Sequence, residues 1–147
     1  MFNKDETKAT GKLTVEIKDK DGKVKDTRQL TNLVVSDGLD FIASRMKDAT
    51  ATAMSHMAIG TGSTAAASGD SALGTEAARQ ALTSTTVNNN AVSYVASFAA
   101  GTGTGAITEA GILNAGSSGT LLCRTVFSVV NKGASDSMTI TWTITIS

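Results

Sequence analysis

The last eleven residues, Ser137 to Ser147, alternate between apolar and hydroxyl side chains without a break. Met138, Ile140, Trp142, Ile144 and Ile146 fall on one face, and Thr139, Thr141, Thr143, Thr145 and Ser147 on the other. A period of two belongs to an extended strand; a helix would scatter the same apolar residues around its circumference. The only tryptophan of the chain sits on the apolar face, so this strand is expected to cover a main core. Its uncharged hydroxyl face suits either water or a neighbouring subunit. A β-sandwich-like body is the expected consequence.

Further strand-like runs support that body. Met54–Gly60, about Arg79–Val87, Ala91–Ala99, Ile107–Leu113 and Leu121–Val130 are separated by turn-forming clusters such as Asn88-Asn89-Asn90 and Asn114 to Gly119. Tyr94 and Phe98 alternate with polar neighbours and join the expected core. Near the N-terminus, Leu13, Val15 and Ile17 alternate with charged or hydroxyl residues before Asp19-Lys20-Asp21-Gly22, and a second strand is expected from Lys23 to about Leu30. This charged hairpin reads as a solvated face or, more sharply, as an arm that docks on another subunit. The total is about eight strands, as in a jelly roll. The expected fold is therefore mainly β, an antiparallel, jelly-roll-like sandwich.

One short helix, over about residues 36–47, interrupts the strands. Ser36 is placed to cap it, Asp37 lies in its first turn, and Leu39, Ile42, Ala43 and Met46 form an apolar stripe. Its stripe is too short for a membrane or partner helix. Residues 1–10 are expected to form a flexible or docking arm, and 11–147 a single sandwich domain, a length that buries a core without staples.

Composition narrows the function. Formal charge is zero, which removes general attraction to nucleic acid or an anionic membrane. No stretch approaches the roughly 18 apolar residues of a membrane span. Without a signal-peptide pattern, a soluble protein outside the usual export route is expected. Proline is absent, so turns depend on Gly, Asn and Asp. Nineteen of the 26 charged residues lie within the first 48 positions, leaving few in the remainder for chemistry.

The candidate sites are correspondingly sparse. His56 has no Cys or carboxylate near it in sequence and is expected to be structural. Cys123, among Leu121, Leu122 and Val126, reads as a small buried hydrophobe. Gly60 to Ala65 and Gly101 to Ala106 lack both the helix that follows a dinucleotide fingerprint and the Lys-Ser/Thr of a phosphate loop. Glu109 and Arg124 lie on strands joined by a short turn. Folding that hairpin about residue 117 sets Arg124 roughly opposite Ala110, so a cross-strand ion pair with Glu109 is expected as a structural clasp. No paired carboxylates, nucleophilic triad or metal cluster emerges. The expectation is a non-enzyme with no catalytic, cofactor-binding or metal residues. A sugar platform would need exposed aromatic rings, and Trp142, Tyr94 and Phe98 are already committed to the core.

Several ordered segments carry a resemblance: Met54 to Ala65, Ser68 to Glu76, Glu109 to Ala115, Gly119 to Phe127, and Lys132-Gly133 before the terminal strand. Over about residues 30–147 they resemble a group of small virion proteins of tailed bacteriophages, described as capsid decoration (cement) proteins or as tail and tail-fibre components. The resemblance implies a virion protein assembled in the bacterial cytoplasm, forming a homo-oligomer and binding the major capsid protein. Tail or fibre placement, with tail proteins or the host surface as partners, is the alternative it leaves open. A carbohydrate-binding sandwich module is the alternative from a different class.

Overall fold

A computed structural model describes residues 6–147. The elements run β1 (Ala9–Lys18), β2 (Val24–Thr31), β3 (Leu33–Val34), α1 (Ser36–Lys47), β4 (His56–Gly60) and β5 (Glu76–Ala81). They continue with β6 (Ser84–Asn88), β7 (Ala91–Phe98), β8 (Gly105–Leu113), β9 (Leu121–Lys132) and β10 (Ser137–Ile146). Two antiparallel five-stranded sheets form a sandwich, one in the order β2-β1-β10-β7-β6, the other β3-β9-β8-β4-β5.

Strand β10 sits at the centre of the first sheet because its alternation never breaks. It pairs with β1 from Ala9–Ile146 to Lys18–Ser137 without a shift, and with β7 from Met138–Phe98 to Thr145–Ala91. Trp142, flanked by Leu13 and Tyr94, is fully buried, as are Met138, Ile140 and Phe98. Ile146, expected in the core, is only partly buried, because it lies at the end of the strand and packs on the rim of the core.

The strands number ten rather than about eight. The run expected over 79–87 divides at Leu82-Thr83, leaving β5 in one sheet and β6 in the other. β3 adds a two-residue strand. Pairs of strands, rather than single strands, alternate between sheets: β1–β2 and β6–β7 are hairpins of one sheet, β4–β5 and β8–β9 of the other.

The centre of the second sheet, formed by β4, most of β8 and the first half of β9, is buried on both faces. Its inner face meets the first sheet around Met57, Ile59, Ile107 and Ile112; a smaller cluster of Val35, Ala58, Leu73, Leu113 and Leu121 lies apart from that core. The segment between β4 and β5, residues 61–75, and the start of α1 supply its cover. This explains why β8 reads as a nearly unbroken buried run where a half-exposed strand would alternate.

Two helix expectations are corrected. Ser36 is the first helical residue; Val35 occupies the cap position with no side-chain cap, and the Ser36 N–H donates to the Ser68 carbonyl at 2.8 Å. The stripe also turns. Gly38, Phe41 and Ile42 face the body, whereas Leu39 is 50% exposed and Met46 85%. The reason is Gly38, where a Cβ would lie 2.0 Å from the Leu122 carbonyl oxygen. Only glycine lets α1 rest this closely on the β9 backbone, and that contact sets the rotation of the helix.

The arm expected over residues 1–10 falls partly outside the described residues. Ala9 and Thr10 belong to β1, and Lys8 exchanges backbone hydrogen bonds with Ser147.

Candidate functional site

The densest polar arrangement outside the ladders surrounds Glu109 and Arg124. β8 presents Glu109 and β9 presents Arg124 toward the covering segment, with side chains 0% and 3% exposed. Arg124 stands opposite Gly111, not Ala110, because the β8–β9 register shifts between Ile112 and Leu113. One residue of register moves a side chain to the other face of a sheet, and the sequence offered no sign of this bulge. Glu109, opposite Val126, is thereby the diagonal neighbour of Arg124, within reach of a long side chain.

The structure brings the two together. Arg124 Nε and Nη2 donate to Glu109 Oε1 at 3.1 and 3.0 Å. Gly74 N–H adds a bond to Oε1 at 2.7 Å, and the N–H groups of Gly62 and Thr75 donate to Oε2 at 2.6 and 2.7 Å. Arg124 also reaches Asp70 Oδ2 at 2.8 Å and the Thr64 carbonyl at 2.9 Å. The glycines fit this role: a Cβ at Gly62 would lie 2.3 Å from Glu109 Oε2, and one at Gly60 2.7 Å from it. The Gly60 to Ala65 stretch is therefore an anion cradle whose anion belongs to the protein itself.

Burial alone would raise the Glu109 carboxyl. The backbone donors of Thr75, Gly74 and Gly62, followed by Arg124, outweigh it and hold the group below its ordinary value. The Ala67 N–H, followed by Arg124, likewise keeps Asp70 low against its partial desolvation. Five donors saturate the Glu109 carboxylate, which offers about four lone-pair sites. It has neither a free lone pair nor access to a substrate. Its chemistry is to hold residues 62–75 on the sheet.

A second buried charge escaped the sequence reading. Lys132, 1% exposed, donates to the carbonyls of Ala99 and Asp136 at 2.9 and 2.8 Å. Burial pulls its ammonium below the ordinary lysine value, and Asp136 partly restores it. The Asp136 carboxylate accepts from Lys25 Nζ and the Gly133 N–H, both at 2.8 Å, and these two bonds, in that order, hold it low. This cluster joins the β7–β8 crossover, the β9–β10 crossover and β2. Sequence offered only the ionic residues near Gly133, without the fold that closes three segments on them.

The remaining candidates are placed as follows. Ser55 Oγ and His56 Nδ1 lie 2.8 Å apart. Cys123 is fully buried, and burial pushes its thiol well above its usual range. Tyr94 is pushed up to about 12, chiefly by burial, so its phenol stays neutral at physiological pH. In the Gly101 to Ala106 stretch, Gly101, Gly103 and Gly105 have positive φ, and a Cβ at Gly103 would lie 2.5 Å from Ile59 Cδ1. That stretch is a tight crossover between sheets.

Among the described residues no group of three or more His, Cys, Asp or Glu side chains could hold a metal ion. Nor is any helix there long and apolar enough to cross a membrane. A hollow of about 650 Å³ is lined by Lys12, Thr14, Gln29, Thr31, Thr141 and Thr143 with Leu13 and Leu30, and contains no convergent acid–base pair. No protein family, curated protein or solved structure matches this chain.

Proposed function

We propose that this chain is a non-enzymatic structural protein of a tailed-bacteriophage virion, a decoration (cement) protein that binds the major capsid protein and stabilises the head shell. One observation carries the reading. Four of the segments that resemble such proteins, 54–65, 68–76, 109–115 and 119–127, converge on Glu109 and Arg124, while Lys132-Gly133 closes a separate buried cluster at the start of the terminal strand. The resemblance therefore lies in a framework that determines shape, and its charged groups are consumed in holding that framework. A protein whose task is to present surfaces repeatedly on a particle requires this and needs no reactive group. The aromatic rings that a sugar platform would expose, Trp142, Tyr94 and Phe98, are buried, which weighs against the carbohydrate-binding alternative.

The test is location and copy number in purified particles of the phage that encodes the chain. Quantitative mass spectrometry should find it at a stoichiometry comparable with the major capsid protein, and antibody label should decorate the head. A few copies with label confined to the tail would replace the cement reading with the tail one. Absence from the particle together with specific glycan binding would sink both.

A further inference from the structure

The four edges of the sandwich are not guarded alike. β2 points Asp26 and Arg28 inward beside Ile17 and Val15, and Arg28 donates to the carbonyls of Ser128 and Val129 at 3.4 and 3.2 Å. Inward charge is a known defence against strand addition. β3 is only two residues long. β5 carries Glu76 and Arg79, whose side chains pair at 2.7 Å. β6, Ser84-Thr-Thr-Val-Asn88, has no charge, no proline and no covering element, and all five residues are exposed, Val87 by 70%.

This edge is also held ready. The β6–β7 hairpin closes through Asn89 and Asn90, with Asn89 at φ +55°. Asn90 is tied to β10 through backbone and side chain: its carbonyl accepts from the Ile146 N–H at 2.9 Å, and its side-chain Nδ2 donates to the Ile146 carbonyl at 2.7 Å. In a two-residue hairpin the closing pair exchanges both hydrogen bonds, so Asn88, Thr86 and Ser84 turn their backbone groups to β7. Thr85 and Val87 present theirs to the open side.

We propose that β6 is an interface at which a second copy of this chain adds antiparallel, β6 against β6, about a two-fold axis through Thr86. The occupant follows from the sequence of the edge itself. About that axis Thr85 meets Val87 of the partner and Val87 meets Thr85, so the four outward-turned backbone units bond in two matched pairs. Ser84 meets Asn88, Thr86 meets Thr86, and β-branched side chains stand opposite one another on the inner face. The one residue that meets its own copy, Thr86, is uncharged, as is the rest of the edge. The two β10-centred sheets become one continuous sheet of ten strands. The inference is independent of any place in a virion.

Sedimentation of the full chain over a concentration series should show a mass rising from 15.0 kDa toward twice that value. Thr86→Cys should oxidise to a covalent dimer, since opposed residues of a non-hydrogen-bonded pair lie at disulfide distance. Thr141→Cys, exposed at the middle of the same sheet, should not. Thr85→Pro removes only an outward N–H and should weaken the dimer by about tenfold or more while the thermal melt of the fold is kept. Thr86→Lys, which sets two ammonium groups against each other, should do the same and serves if the proline variant does not fold. A wild-type mass that stays at 15.0 kDa, a dimer untouched by the folded variants, or equal cross-linking at position 141 would overturn the proposal.

Discussion

At the scale of single residues, Glu109 concentrates more structural consequence than any other polar side chain described. Its carboxylate accepts from three backbone N–H groups and a buried guanidinium, so neutralising it leaves Arg124 without its most deeply buried partner. Glu109→Gln should cost about 3–5 kcal/mol in denaturant melts, as for other broken buried pairs. The pH dependence has a definite sign. A carboxyl held below its unfolded value of 4.5 contributes its full stabilisation above that pH and loses it as pH falls through the folded value. Acid melts of the wild type should therefore steepen below about pH 4.5, and the Gln variant should lack that part of the slope. Strand spacing showed the two residues to be near neighbours, but the bulge that sets them on one face was not written in it. Nor were the burial of the pair and its cradle, because Gly62, Gly74 and Thr75 reach Glu109 from more than thirty positions away.

At the scale of elements, the edges matter most. Arg28 reads in sequence as one more surface charge in a mixed hairpin. In the fold it pairs with Asp26 and covers two β9 carbonyls near the irregularity that lies between the Ile107 and Glu109 pairings of β8 with β9. Arg28→Thr should remove the cover and one of the two inward charges, leaving Asp26 without its guanidinium. The expected outcome is a small loss of stability, about 1 kcal/mol, with a larger rise in aggregation on prolonged incubation, measured by light scattering. α1 teaches a related lesson. Its existence was readable from periodicity, but the face it buries was decided by Gly38 meeting a backbone carbonyl. An apolar stripe counts side chains and is blind to a residue whose contribution is to have none.

For the whole molecule, two five-stranded sheets share one core, and Cys123 lies within it at 0% exposure with its thiol raised by burial. Within its sheet β9 lies between β8 and β3, with α1 packed against it. Labelling of the thiol by a maleimide or disulfide reagent should thus require global opening. Its rate under native conditions should fall in proportion to the unfolded fraction and track denaturant stability. Fast labelling of the folded protein would mean that the sandwich opens between its sheets.

Read alone, the chain shows a β protein, the approximate span of most of its strands, and a core that holds Trp142, Tyr94 and Phe98. Those conclusions rest on local periodicity, which survives in the chain however it folds. The tertiary structure alone decided the ten-strand order, the splitting of 79–87 between two sheets, the turn of α1, and the closure around Glu109 and Lys132. Each of these depends on contacts between segments distant in sequence, where a bulge of one residue or the absence of one Cβ decides the outcome. The alternating C-terminal strand belongs to both accounts: its pattern is written in eleven residues, and its place at the centre of a sheet required every other strand to be set beside it.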